Sequence, residues 1–185
     1  WWGWMPALAG SFRVLRMDAR GHGASDAPAG DYSLDDLAAD ALAVLGAAAA
    51  PRAAVCGVSL GGMVAMTLAL RAPERVDALV LACTSAQMDP AAWQARIDTV
   101  RGQGLAAIAD LAMERFFSER FRRQAPRVVA TTRAGLLAMS PDGYAGCGAA
   151  IRDMDLADRL GGIGAPALVV VGERDASTPF EGHGD

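Results

Sequence analysis

An α/β fold is predicted here: a mostly parallel sheet with crossover helices, and a helical cap inserted between two core strands. Three observations predict it. Short apolar runs alternate with segments of helical spacing, as a parallel sheet requires. One of these runs leads through Gly57-Val58-Ser59-Leu60-Gly61 directly into a helical pattern. A long stretch, residues 85–162, has helical patterns and no strand signal, and it lies between two strands.

The elements follow in chain order. Phe12-Arg13-Val14-Leu15-Arg16-Met17 alternates weakly and reads as a strand. Asp18 to Asp26 is a Gly- and Asp-rich loop. Ser33, with Asp36 three residues on, resembles a capping box and opens a helix running to about Leu45. Arg52 to Val58 is a second strand, apolar enough to be buried on both faces. Leu60 to Arg71 is a helix stopped by Ala72-Pro73. Asp77 to Ala82 is a third strand. The cap helices read as Pro90 to Arg101, Gly104 to Phe117, Glu119 to Thr132 and Gly143 to Leu160, with Pro141-Asp142-Gly143 as a turn. Ala167 to Val171 is a fourth strand, between Pro166 and Gly172. The expected division is residues 1–84 for the first part of the core, 85–162 for the cap and 163–185 for the second part of the core.

Composition bounds the function. The 185 residues are 52% hydrophobic and 21% charged with a net charge of −4, a globular composition. Basic residues form no segment suited to nucleic acid. Cys56, Cys83 and Cys147 are widely spaced, with no metal-ligand pattern, and read as buried thiols in a reducing, cytoplasmic setting. No apolar run reaches the roughly 18 residues of a membrane span. The start, Trp1-Trp2-Gly3-Trp4-Met5, has neither a basic signal region nor an initiator Met, and suggests a piece of a longer protein.

The segment around Ser59 carries the chemistry. A serine hydroxyl is a poor nucleophile and needs a base and a cradle for the oxyanion. A strand–Gly-x-Ser-x-Gly–helix order sets such a serine on a strained turn, a nucleophile elbow. Side chains two before and two after would collide there, so Gly57 and Gly61 are expected to be required. The N–H of Leu60 and the positive end of the following helix face any developing negative charge.

Three segments together resemble the α/β-hydrolase superfamily. They are Asp18-Ala19-Arg20-Gly21-His22-Gly23-Ala24-Ser25, Gly57-Val58-Ser59-Leu60-Gly61-Gly62, and Val171-Gly172-Glu173-Arg174-Asp175. Within the superfamily the closer resemblance is to the 3-oxoadipate enol-lactonases. Ala72-Pro73-Glu74-Arg75-Val76, the cap segment from Thr131 to Tyr144 and the final Ser177-Thr178-Pro179-Phe180-Glu181-Gly182-His183-Gly184 add to it.

The resemblance implies a serine hydrolase that opens a small-molecule lactone through an acyl-enzyme, with no metal or cofactor, no nucleic acid and no membrane partner. It implies Ser59 as nucleophile, Leu60 as an oxyanion donor and Asp175 as the triad acid. Arg133 is implied as a partner for the substrate carboxylate, with Arg152 a rival. The tryptophans Trp1, Trp2, Trp4 and Trp93 are candidates to line a pocket. The order serine, acid, histidine puts the base after Asp175. His183 follows it too closely, and His22 precedes the serine and reads as structural. The base, the second oxyanion donor and the first core strands are therefore expected outside this chain, the Phe12 strand lacks a neighbour, and the fragment alone is expected to be inactive. The competing readings are a carboxylesterase, a C–C hydrolase or a cofactor-free haloperoxidase of the same fold, and, in another class, a non-catalytic hydrolase-like binding protein. A nucleotide-binding domain is disfavoured because no phosphate-loop ending follows Gly57 to Gly62.

Overall fold

The computed structural model describes residues 2–179. In chain order the elements are α1 (Met5–Ala9), α2 (Leu34–Ala47), β1 (Ala53–Val58), α3 (Leu60–Arg71), β2 (Val76–Ala82), α4 (Pro90–Gln103), α5 (Ala106–Phe116), α6 (Glu119–Gln124), α7 (Pro126–Leu137), α8 (Pro141–Arg152) and β3 (Ala167–Val170). Short 3-10 turns cover Trp2–Trp4, Pro73–Arg75 and Ala157–Gly162.

The expected α/β architecture is present. The strands pair in parallel in the order β1-β2-β3. Val58 stands opposite Ala82, and Ala82 opposite Val170, so all three strands end level at one edge. That edge is where parallel α/β sheets bind ligands. Ser33 caps α2 as its sequence indicated: its hydroxyl accepts the Asp36 N–H at 3.1 Å, and the Asp36 carboxylate accepts the Ser33 N–H at 2.9 Å.

One core cluster joins α2, α3, β2 and α8 through Leu37, Met63, Leu68, Leu79 and Ile151. A second, formed by Val100, Leu105, Ile108, Met113 and Leu136, lies within the helices between β2 and β3. The loop before α2 meets α8 where Gly21 and Gly143 pack backbone to backbone. A Cβ on Gly21, whose φ is +78°, would lie 2.6 Å from the Gly143 Cα, so neither position tolerates a side chain.

Several local expectations are corrected. Residues 12–17 form no strand: a strand needs a partner to complete its hydrogen bonds, and none pairs with them among the described residues. β1 is not buried on both faces. Ala54, Cys56 and Val58 are exposed, because α3 covers only the opposite face. The helix expected over Glu119 to Thr132 is broken between α6 and α7, since Pro126 has no N–H to continue the ladder. Pro141-Asp142-Gly143 is not a free turn. Pro141 is the first residue of α8, and Ser140 caps it by accepting the Gly143 N–H at 3.2 Å. α8 stops at Arg152, short of Leu160, and the chain then extends so that Met154 and Leu156 enter the core while Asp155 bridges Gln87.

Candidate active site

β1 ends at Val58, and Ser59 turns the chain into α3 with φ 52° and ψ −120°. A non-glycine residue holds this left-handed conformation only where its surroundings over-determine it. Here the Ser59 N–H donates to the Ala82 carbonyl at 2.9 Å, extending the sheet by one bond. The Ser59 carbonyl accepts from the Thr84 hydroxyl at 2.7 Å and from the Gly62 N–H at 2.8 Å. The hydroxyl of Ser59 caps nothing in α3, so the first N–H groups of that helix, Leu60 among them, are left for another acceptor. Ser59 itself is exposed.

The glycine requirement is one-sided. A Cβ on Gly57 would lie 2.1 Å from the Gly61 carbonyl oxygen, whereas a Cβ on Gly61 meets nothing within 4 Å. The expectation that Gly61 must be glycine is therefore corrected. The close approach is made by its backbone, towards Gly57, and its own Cβ direction is open. The neighbouring Gly62 is the second constrained position, since a Cβ there would come within 2.6 Å of Thr84 Cβ.

Asp175 stands on the turn after β3. One carboxylate oxygen accepts the N–H groups of Ser177 at 2.8 Å and Thr178 at 3.0 Å, and the other accepts the Thr178 hydroxyl at 2.9 Å. Burial by itself would raise the carboxyl's pKa. The donors from Thr178 and Ser177, joined by the Cys83 thiol, outweigh it and hold the group below the usual carboxylate range. Cys83 is pushed the other way, by burial first and then by donating to Asp175. Ser59, Cys83 and Asp175 thus follow the level ends of β1, β2 and β3.

The remaining expected residues have these surroundings. His22 Nδ1 lies 3.3 Å from the Arg20 carbonyl and 3.9 Å from Cys147 Sγ, in a loop tied down by Arg20, whose guanidinium donates two 2.6 Å bonds to Asp40. That is a structural role. His183 lies outside the described residues. Arg133, on α7, is ion-paired with Asp110 of α5 at 2.8 Å. Arg152 is engaged by Asp31 at 3.1 Å and Asp153 at 2.6 Å. Trp4 is exposed, and Trp1 lies outside the described residues.

Sequence reasoning missed Arg96. Its guanidinium sits 5.2 Å from the Trp93 ring centroid and 5.6 Å from that of Tyr144. Its Nε is buried without a hydrogen-bond partner, and no carboxylate pairs with it among the described residues. The Trp93-x-x-Arg96 spacing on one helix face was the available signal.

A family model for the alpha/beta hydrolase fold matches residues 1–156. The 3-oxoadipate enol-lactonase 2 of Acinetobacter baylyi is 40% identical over 166 residues, which are 89% of this chain and 62% of that relative. A crystal structure of a hydrolase from Pseudomonas aeruginosa superposes with a TM-score of 0.95 at 43% identity, over 100% of this chain and 70% of the other. The enol-lactonase from Burkholderia xenovorans gives 0.92 at 36% identity, over 95% and 69%.

Proposed function

The chain belongs to the alpha/beta hydrolase family, and from that membership we propose that it carries the nucleophile and acid of a serine hydrolase acting on the lactone ring of 3-oxoadipate enol-lactone. The observation that carries the reading is Ser59 held at φ 52° on the strand-to-helix turn, at the same sheet edge as Asp175. Likeness to two enol-lactonases supports the substrate class.

In this reading Ser59 Oγ attacks the lactone carbonyl and loses its proton to a histidine outside the described residues. The oxyanion forms towards the Leu60 N–H and the N-terminus of α3. Collapse expels the enol, which becomes the ketone, and leaves an acyl-enzyme that water hydrolyses to 3-oxoadipate. Asp175, ionised at neutral pH, orients the imidazole and stabilises its protonated form. The cap, residues 85–162, selects the substrate. Arg96 is the better candidate for the substrate carboxylate, because Arg133 is already neutralised by Asp110. No helix among the described residues is long and apolar enough to cross a membrane. Three free thiols support a cytoplasmic site.

The test uses the full-length protein that contains this chain. Loss of enol-lactone absorbance is followed beside an aryl ester, with Ser59→Ala as control. Lactone turnover abolished by the variant is the expected result. Ester turnover alone would keep the mechanism and move the substrate to that of a carboxylesterase. Binding without turnover would favour a hydrolase-like binding protein. Within the same assay Arg96→Met is expected to raise KM at least tenfold, the worth of about 1.4 kcal/mol, and Arg133→Ala to leave it unchanged.

A further inference from the structure

The carbonyl of Ser59 and the N–H of Leu60 belong to one peptide group. That group is planar and trans, so the two point in opposite directions and turn together. Whatever holds the Ser59 carbonyl therefore aims the Leu60 N–H. As the first residue of α3, Leu60 has no partner for that N–H within the helix. Among the described residues three donors hold the carbonyl. Two come from the helix itself, the Gly62 N–H at 2.8 Å and the Met63 N–H at 3.2 Å. The third, the Thr84 hydroxyl, comes from outside the helix and is the shortest at 2.7 Å.

Thr84 reaches this position because of how β2 ends. The Ser59 N–H donates to the Ala82 carbonyl at 2.9 Å and the Cys83 N–H to the Val170 carbonyl at 2.8 Å, which extends the sheet on either side of β2. At Cys83 the chain then takes φ 46°, a left-handed conformation uncommon for a residue with a side chain. In a regular strand the next side chain would stand off the sheet. Here Thr84 lies beside the end of β1 instead. A Cβ on Gly62 would come within 2.6 Å of Thr84 Cβ and 2.7 Å of its Oγ1, so the absence of a side chain at Gly62 is what admits the hydroxyl.

We infer that Thr84 is a positioning residue for the oxyanion donor: its hydroxyl fixes the Ser59–Leu60 peptide so that the Leu60 N–H is aimed before charge develops. An oxyanion donor is effective because it needs no reorientation at the moment of reaction. The same bond polarises the amide, since a carbonyl that accepts a hydrogen bond makes the N–H of its own peptide a stronger donor. Thr84 acts through that peptide and not on the substrate. This inference rests on the reading of Ser59 as nucleophile and Leu60 as oxyanion donor.

Two variants separate the hydroxyl from the packing. Thr84→Val removes the hydroxyl and keeps the methyl against Gly62, while Thr84→Ser keeps the hydroxyl and removes the methyl. In the full-length protein, with the enol-lactone or the aryl ester as substrate, Thr84→Val is expected to lower kcat about fivefold with KM within about twofold, the worth of one neutral hydrogen bond. That is well short of the roughly hundredfold or greater loss when an oxyanion donor is removed outright. Thr84→Ser is expected to restore kcat. A second measurement needs no turnover. In protein labelled with nitrogen-15, the Leu60 amide nitrogen resonance should move upfield in Thr84→Val and keep its place in Thr84→Ser, because only the first variant takes a hydrogen bond from the Ser59 carbonyl. Full kcat in Thr84→Val, an equal loss in both variants, or an unmoved Leu60 resonance in Thr84→Val would each overturn the inference and leave the reading of Ser59 standing. Turnover retained in Ser59→Ala, or absent in the parent, would overturn the reading of Ser59 and with it the role of Thr84, whether or not the Leu60 resonance moves.

Discussion

Ser59 holds a conformation that suits glycine better than serine. Relief of that strain should make Ser59→Gly more stable than the parent by about 1–3 kcal/mol, seen as a higher Tm, while removing the nucleophile. A lower Tm would mean that the hydroxyl has a structural role. Gly57→Ala should be severely destabilising, since its methyl would meet a backbone carbonyl, which cannot rotate away like a side-chain tip. Gly61→Ala should be neutral or raise stability by up to about 1 kcal/mol, the helix preference of alanine over glycine. Equal effects in the two variants would contradict the one-sided contact. The motif made Ser59 and its turn legible from sequence, but not which glycine is required, because the pattern is symmetric and the packing is not. Asp175 was legible from its place after an apolar strand, whereas the donors that hold its carboxylate, the Ser177 and Thr178 N–H groups and the Thr178 hydroxyl, depend on how the turn folds back on it. Its lowered pKa has a sign for stability. The folded-state pKa lies below the ordinary 3.8, so the stabilisation is complete above that value and is lost as pH falls through the lowered one. The stability gap between the parent and Asp175→Asn should therefore narrow below about pH 4 in acid denaturation, because only the parent carries that titrating carboxylate.

At the scale of elements, local chemistry was read well and partnership was not. The Ser33 and Asp36 box formed because its donors and acceptors lie within three residues, independent of the rest of the fold. Ser33→Ala is expected to cost about 1 kcal/mol, visible as a shifted denaturation midpoint with unchanged cooperativity. No shift would mean that water caps the helix equally well. Proline also acts locally: Ala72-Pro73 ends α3 as expected, and the same rule at Pro126 explains the break that a periodicity argument ran across. The Phe12 segment and the outer face of β1 depend instead on non-local partners. Their apolar residues are compatible with burial in a sheet, and composition alone does not say what covers them. Arg133 and Arg96 make the same point in the cap. Both were visible as arginines, but only the fold shows that Asp110 meets one and that aromatic rings flank the other.

For the whole molecule the open sheet face decides behaviour in water. Leu168, Val169 and Val170 are 59%, 53% and 45% exposed and Val58 is 48% exposed, so both outer strands present branched apolar side chains to solvent. Among the described residues β1 and β3 are also the edges of the sheet, with backbone groups there that no other strand pairs, beside that apolar surface. Such an edge is a template for pairing with another chain, and burying apolar surface at about 25 cal/mol per Å² rewards the pairing. The 185-residue chain by itself should associate with rising concentration and bind a hydrophobic dye while folded. Leu168 and Val170 share a face of β3 and lie outside the core clusters. Replacing both with lysine should therefore suppress association and dye binding in light-scattering and fluorescence measurements, with helical content by circular dichroism retained. A chain that stays monomeric and dye-free at high concentration would show that this face is protected in solution. Loss of helical content in the lysine variant would show instead that β3 is needed to hold the fold.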